Sequence, residues 1–191
     1  MQDLWKQTLG WDEDLLEELK GNCTTFSQIL KQLETLQLKR NVCLRNPDKE
    51  IVIHGLSDAS EKAYGACIYI TTMDDNNVPS SSLLCSKSKV APLKVITLPK
   101  LELCAAVLLS RLVANVVTAL KLENVKINLL SDSAVTLYWI QTAPSNLKTC
   151  VANRVAETHE LSQDYQRRHV PSAKILQTTS QEEYQLNSCS R

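Results

Sequence analysis

The spacing of apolar residues changes once along the chain, near residue 48. Between residues 12 and 38, apolar side chains recur at intervals of three and four, which predicts two amphipathic helices with a break at residues 21–24. A polar turn with a proline at residues 46–49 follows and is the expected boundary. The first part of the chain is therefore expected to be a helical packing arm, with Trp5 and Trp11 as buried anchors.

Beyond this turn, short runs rich in β-branched and aromatic residues predict strands at residues 51–54, 64–70 and 82–88. Residues 73–79 are polar and contain a proline, as in a hairpin loop. The pattern then predicts a long helix from residue 97 with Pro99 in its first turn, a strand at 125–130, and helices at 133–141 and 147–161. We expect an α/β fold in which an antiparallel meander and parallel strands form one mixed sheet flanked by helices.

Composition narrows the range of functions and compartments to be expected. Lysine and arginine together number 21, as do the acids, so the formal charge is zero and a strongly basic nucleic-acid binder is not expected. The seven cysteines show neither zinc-ligand spacing nor a disulfide framework, which favours a reducing compartment. No secretory signal and no membrane-spanning apolar run is evident, so we expect an intracellular protein, cytoplasmic or nuclear.

Three acids end or interrupt apolar segments, namely Asp58, Glu102 and Asp132. If the fold brings them together, they form an oxygen-rich site of the kind that Mg²⁺ or Mn²⁺ prefers. Each acid also has a structural interpretation: Asp58 as a turn residue, Glu102 as a first-turn glutamate favoured by the helix dipole, and Asp132 as a helix N-cap.

The order of these acids and their surroundings resembles the ribonuclease-H-like segment of BEL/Pao-type retrotransposon polyproteins. The resemblance runs from about residue 4 to residue 171 and is carried by five ordered blocks: IHGLSDASEKAYGA (53–66), SKSKVAPLK (86–94), LPKLELCAA (98–106), LSDS (130–133) and VANRVAE (151–157).

This resemblance implies a ribonuclease H fold over residues 49–171, preceded by a connection arm at 1–48. It implies that Asp58, Glu102 and Asp132 bind two Mg²⁺ or Mn²⁺ ions and that the substrate is the RNA strand of an RNA–DNA hybrid. Two such ions activate a water and stabilise the leaving oxygen. The arm would correspond to the connection that follows a polymerase, so the rest of a retrotransposon polyprotein is an expected partner.

The chain departs from the family after Pro171. There the family has an Asn-Pro-Ala-Asp helix start with a fourth metal-binding acid, whereas residues 172–191 do not match and are expected to be a disordered tail. Glu182 and Glu183 lack the matching context and are interpreted as solvated residues. The missing acid predicts weak or absent cleavage. The alternatives are an inactive remnant or domesticated interaction module, and a connection domain without activity.

Other polar residues are weaker candidates. Lys87, Lys89 and Lys94 cluster between a strand and a helix and are candidate contacts to a phosphate backbone, with a solvated basic loop as the equal alternative. His169 is interpreted as a structural or surface histidine. His54 and His159 have no spacing that predicts a metal site.

Overall fold

The computed structural model describes residues 10, 12–14, 16–32, 34, 51–73, 78–122, 125–162 and 164–171. The chain divides into two compact units, Met1–Lys39 and Arg40–Arg191. The turn expected at residues 46–49, Trp5, Trp11 and the tail at 172–191 lie outside the described residues.

Among the described residues of the first unit, helix α1 runs without interruption over Glu17–Gln32, so the predicted break at residues 21–24 is wrong. The hydroxyls of Thr24 and Thr25 donate to the carbonyls of Lys20 and Gly21, four residues earlier, at 2.9 and 3.0 Å. These threonines therefore bond back to the helix instead of capping a new one. No residue of α1 is buried, and the packing role expected of this arm stays a prediction.

The second unit is built on a five-stranded mixed sheet with strand order β3-β2-β1-β4-β5. Its strands are β1 (Ile51–Ala59), β2 (Ala63–Met73), β3 (Pro79–Val90), β4 (Lys126–Ser131) and β5 (Gln166–His169). The first three form the predicted antiparallel meander, and β4 and β5 add in parallel beside β1. This arrangement confirms the expected fold class.

The helices are α2 (Leu98–Leu120), α3 (Ala134–Gln141) and α4 (Thr149–Ser162), with a short 3-10 helix at Pro144–Asn146. One side of α2 packs on the sheet in a cluster formed by Ile53, Ala66, Ile68, Leu108, Leu109, Val113, Ile127 and Leu129. A second cluster joins α2 to α3 and α4 through Leu103, Ala106, Ile140, Val151 and Val155. Helix α2 is therefore the central helix of this unit.

Gly55 marks the closest approach of α2 to the sheet. A Cβ atom at this position would lie 2.8 Å from Cδ1 of Leu109 and 3.0 Å from Cδ2 of Leu129, closer than ordinary packing allows. Gly55 therefore faces α2, as do Ile53 and Ser57, because alternate residues of a strand share a face.

Helix α2 is also long and apolar enough to cross a membrane by length and composition, contrary to the expectation that no segment would be. Nine of its residues are buried, and its two packing clusters account for the apolar character. The buried central helix of an α/β sheet domain passes the same test of composition.

Candidate functional site

Asp58 lies inside β1 and is not the residue that makes the following turn. Its Oδ1 accepts a hydrogen bond from the backbone N–H of Ala59 at 2.7 Å, and its side chain is exposed. The turn is held by Ser60, whose hydroxyl accepts from the N–H of Ala63 at 3.2 Å and whose own N–H donates to the Ala63 carbonyl at 2.7 Å. The interpretation of Asp58 as a turn residue is therefore excluded.

Asp132 follows β4 directly and is not the cap of α3. The N-cap is Ser133, whose hydroxyl accepts from the N–H of Thr136 at 3.1 Å. The Asp132 carbonyl lies 3.0 Å from Nε2 of His169 at the end of β5. The carboxylate of Asp132 is thus not needed to begin the helix.

Glu102 lies in the second turn of α2, because the helix begins at Leu98 and its first turn contains no acid. The favourable effect of a helix N-terminus on an acid falls off within the first turn, so the dipole does not explain this glutamate. Its neighbours Leu101 and Leu103 are buried, whereas Glu102 is half-buried.

Strand pairing places Asp58 and Asp132 side by side. Strands β1 and β4 are parallel, and Ser57 pairs with Ser131, so each acid comes one residue after a member of this pair. Ser57 and Ser131 line a small internal gap together with Ala106, which is one helical turn after Glu102. All three acids therefore belong to the same end of the sheet.

The described residues do not, however, contain a formed metal-ligand cluster. No three His, Cys, Asp or Glu side chains among them are grouped so that they could hold an ion. Because Ser57 faces α2, alternation places Asp58 on the opposite face of the sheet from the helix that carries Glu102. Carboxylate oxygens suit Mg²⁺ or Mn²⁺ chemically, but a shared ion would require these two side chains to meet around the end of β1.

An open cavity of about 450 Å³ adjoins Asp58 and extends over β2 to β3. Neither Glu102 nor Asp132 lines it, and its polar lining comes from Ser57, Asp58, Ser60, Tyr64, Ser86, Lys87 and Ser88. Burial raises the pKa of the Tyr64 hydroxyl, and it also raises the pKa of the Cys67 thiol in the same lining.

The serines of this cavity were not among the site residues predicted from the sequence. Ser86 and Ser88 alternate with Lys87 and Lys89 along β3, which is an edge strand with one unpaired side. The alternation of small hydroxyl residues with basic residues is the sequence pattern that could have indicated this polar lining. Lys89 is exposed on the same strand, and Lys94 is exposed in the loop before α2 and does not line the cavity.

A second cluster of polar side chains lies between α2, α4 and β5. The guanidinium of Arg167 donates to the hydroxyls of Ser110, at 3.0 Å, and Ser162. Ser162 also donates to Ser110 at 3.0 Å. Burial lowers the pKa of Arg167 to about 10, because no carboxylate is among its hydrogen-bond partners in the described chain. This half-buried arginine was not predicted from the sequence.

Comparison with protein families gives one match that covers most of the chain. A family described as the Pao retrotransposon-like RNaseH-like domain matches residues 1–133, which include Asp58, Glu102 and Asp132. No curated protein matches the sequence.

Solved structures with similar folds include ribonucleases H. RNase H1 from Halobacterium salinarum is 12% identical, with 69% of this chain and 92% of that chain covered and a TM-score of 0.38. LC11-RNase H1 in complex with an RNA/DNA hybrid is 16% identical, with coverage of 65% and 88% and a TM-score of 0.41. The foamy viral protease-reverse transcriptase, also in complex with an RNA/DNA hybrid, is 14% identical, with coverage of 94% and 27% and a TM-score of 0.41.

Proposed function

Because this chain belongs to the Pao retrotransposon family of ribonuclease-H-like domains, we propose that it carries a divalent-metal-dependent nuclease site for the RNA strand of RNA–DNA hybrids. Asp58, Glu102 and Asp132 are its proposed metal-binding carboxylates, with Mg²⁺ or Mn²⁺ as the ion. The supporting observation is the pairing of Ser57 with Ser131, which sets Asp58 and Asp132 at the ends of adjacent parallel strands.

We further propose that the chain cleaves hybrids very weakly or not at all. Two features support this proposal: the three carboxylates are not grouped among the described residues, and the sequence after Pro171 lacks the Asn-Pro-Ala-Asp acid of the family. Like charges repel one another, so an incomplete set of carboxylates is expected to bind a first dication better than a second. We therefore expect measurable metal binding with little turnover.

The test compares the native chain with a variant in which an Asn-Pro-Ala-Asp segment is inserted after Pro171. Cleavage of a labelled hybrid is followed on a gel with Mg²⁺ or Mn²⁺, and Mn²⁺ binding is measured separately by titration calorimetry. The native chain is expected to bind Mn²⁺ with little cleavage, and the grafted chain to cleave faster. Full activity of the native chain would contradict the proposed defect.

The acids are tested in the grafted chain. Asp58→Asn and Asp132→Asn keep the side-chain shape but remove its charge, so each is expected to lower the cleavage rate roughly 100-fold, as losing one electrostatic stabiliser of a transition state typically does. Asp164→Asn is the matched control, because Asp164 is an exposed acid before β5, at the other end of that strand from His169, which contacts Asp132. Cleavage without metal, or equal rates in all three variants, would exclude this site.

An interaction module without catalysis is the second candidate, and the cavity beside Asp58 supports it, because Lys87 and two serines offer contacts to phosphate oxygens. Hybrid binding by a grafted chain that does not cleave would favour this second function.

A further inference from the structure

Two cysteines occupy facing positions on the packed helices α2 and α4. Leu103 and Val151 belong to the same buried cluster, and the next residue on α2 and the preceding one on α4 are Cys104 and Cys150. Cys104 is half-buried, Cys150 is exposed, and both are free thiols. The packing that joins the two helices therefore also brings these two thiols to its border.

One arginine lies close to both cysteine side chains. Nη1 of Arg154 lies 2.9 Å from Sγ of Cys150 and 2.8 Å from the carbonyl oxygen of the same residue. Cys104 is also among the groups that raise the pKa of this guanidinium, so its thiol lies nearby. Both thiols therefore lie near the same guanidinium group.

A salt bridge two turns further along gives independent support for the facing geometry. Arg111 on α2 contacts Glu157 on α4 directly. These residues lie seven positions after Cys104 and Cys150, respectively. A seven-residue step returns to nearly the same face of an α-helix. Cys104 and Cys150 therefore hold the same relative position on the two helices as a pair of side chains that are in contact.

We propose that Cys104 and Cys150 form a redox-active thiol pair that closes to a disulfide when the chain meets a peroxide. The exposed Cys150 thiol is oxidised to a sulfenic acid and one water is released. The Cys104 sulfur then attacks the Cys150 sulfur, so that the S–S bond forms, the S–O bond breaks and a second water leaves with the Cys104 proton. A disulfide needs Cα atoms about 4.4–6.8 Å apart, which closely packed helices can reach.

The bond would change the neighbourhood of Arg154, because it replaces the Cys150 thiol that this guanidinium contacts. It would also fasten the beginning of α2 to the beginning of α4. Since the covalent link closes a long loop, the oxidised chain is expected to resist urea better than the reduced chain.

The test uses the full chain at low concentration, treated with hydrogen peroxide, alkylated, and digested with trypsin without reduction. Trypsin isolates the two thiols in separate peptides, residues 101–111 and 149–154, each with a single cysteine. The expected product is one species with the summed mass of both peptides less two hydrogen atoms, which separates again on reduction. Its yield should fall several-fold when oxidation is carried out in urea, because the proximity depends on the fold.

Cys150→Ser and Cys104→Ser are each expected to abolish this species. Cys67→Ser and Cys85→Ser are the matched controls, because these half-buried cysteines lie on β2 and β3, and both should leave the yield unchanged. Recovery of the two peptides separately alkylated would overturn the proposal. So would Cys150 linked to any other cysteine or to a second chain.

Discussion

At the scale of single residues, two serines hold the backbone where the candidate acids might have been expected to do so. Ser60 binds the turn after β1, and Ser133 caps α3. Each serine lies within two residues of an acid, Asp58 and Asp132. A carboxylate that is not needed for a cap or a turn is available for another task, so the serines strengthen the functional interpretation of both acids.

Arg167 is a half-buried residue whose charge is expected to lower the stability of the folded chain. Its guanidinium is bonded to two neutral hydroxyls, and no acid in the described part of the chain is paired with it. Replacing a buried charge by an apolar side chain of similar size is often stabilising, so Arg167→Met is expected to raise the free energy of unfolding by about 1 kcal/mol near neutral pH. The measurement is urea denaturation, with Arg168→Met on the exposed side of the same strand as control.

The effect of pH on this variant has a definite sign. The pKa of Arg167 is about 10 in the folded chain, below its ordinary value, so above pH 10 the unfolded state holds more protons at this group. Its contribution to stability therefore rises with pH in that range. The advantage of Arg167→Met should shrink above pH 10. An advantage that grows there, or a variant less stable than the parent at neutral pH, would contradict this account.

At the scale of secondary structure, the sequence predicted an element well where the spacing of its apolar residues fitted only one type of element. Strand β4 and helix α3 were predicted almost to the residue, because an apolar run ends at Ser131 and a serine cap follows. The break in α1 was predicted wrongly, because Gly21 and the threonines after it are typical of caps but also fit a helix interior. Strands β1, β2 and β3 extend beyond their predicted ends, since their outer residues pair through the backbone whatever their side chains.

The candidate site was only partly predictable. The sequence identified Asp58, Glu102 and Asp132, and strand pairing explains why two of them are neighbours. It did not indicate the cavity lined by Ser86 and Ser88, which depends on the register of an edge strand. Nor did it indicate Arg167, because nothing in the polar stretch around two adjacent arginines shows which of them is partly buried.

The packing of α2 on the sheet gives a test at this scale. Gly55→Ala inserts a methyl group 2.8 Å from the Leu109 side chain. Overpacking a core typically costs about 1–3 kcal/mol, so this loss in the free energy of unfolding is expected. Gly65→Ala is the control, because its Cβ would meet nothing closer than the Lys87 carbonyl oxygen, at 3.4 Å. Denaturation curves of equal midpoint for the two variants would show that α2 is not tightly seated.

At the scale of the whole molecule, the balance of charge limits how nucleic acid can be bound. Equal numbers of basic and acidic residues give no general attraction to phosphate. Any affinity must then come from local groups, and the edge strand β3 presents two exposed lysines, Lys87 and Lys89, near the cavity beside Asp58.

We therefore expect weak binding to an RNA–DNA hybrid. The salt dependence of this binding is expected to come from these two lysines. Replacing Lys87 and Lys89 together by glutamine should weaken binding and lower the slope of log affinity against log salt by about two, since each lost phosphate contact removes roughly one. The control replaces Lys126 and Lys148, which are exposed elsewhere. Fluorescence anisotropy over a range of salt measures both, and equal slopes would place the binding surface away from β3.

The parallel pairing of β1 with β4 also has a consequence for the order of folding. The meander of β1, β2 and β3 uses contacts that are close in sequence, whereas β1 meets β4 only across more than sixty intervening residues. We expect the closing of that long loop to be a slow step of folding for this topology. During synthesis, the hairpin that contains Asp58 is therefore expected to form before the segment that contains Asp132 leaves the ribosome. We expect a nascent chain that stops before β4 to form the hairpin without any acidic pair, so that the site arises only late in folding.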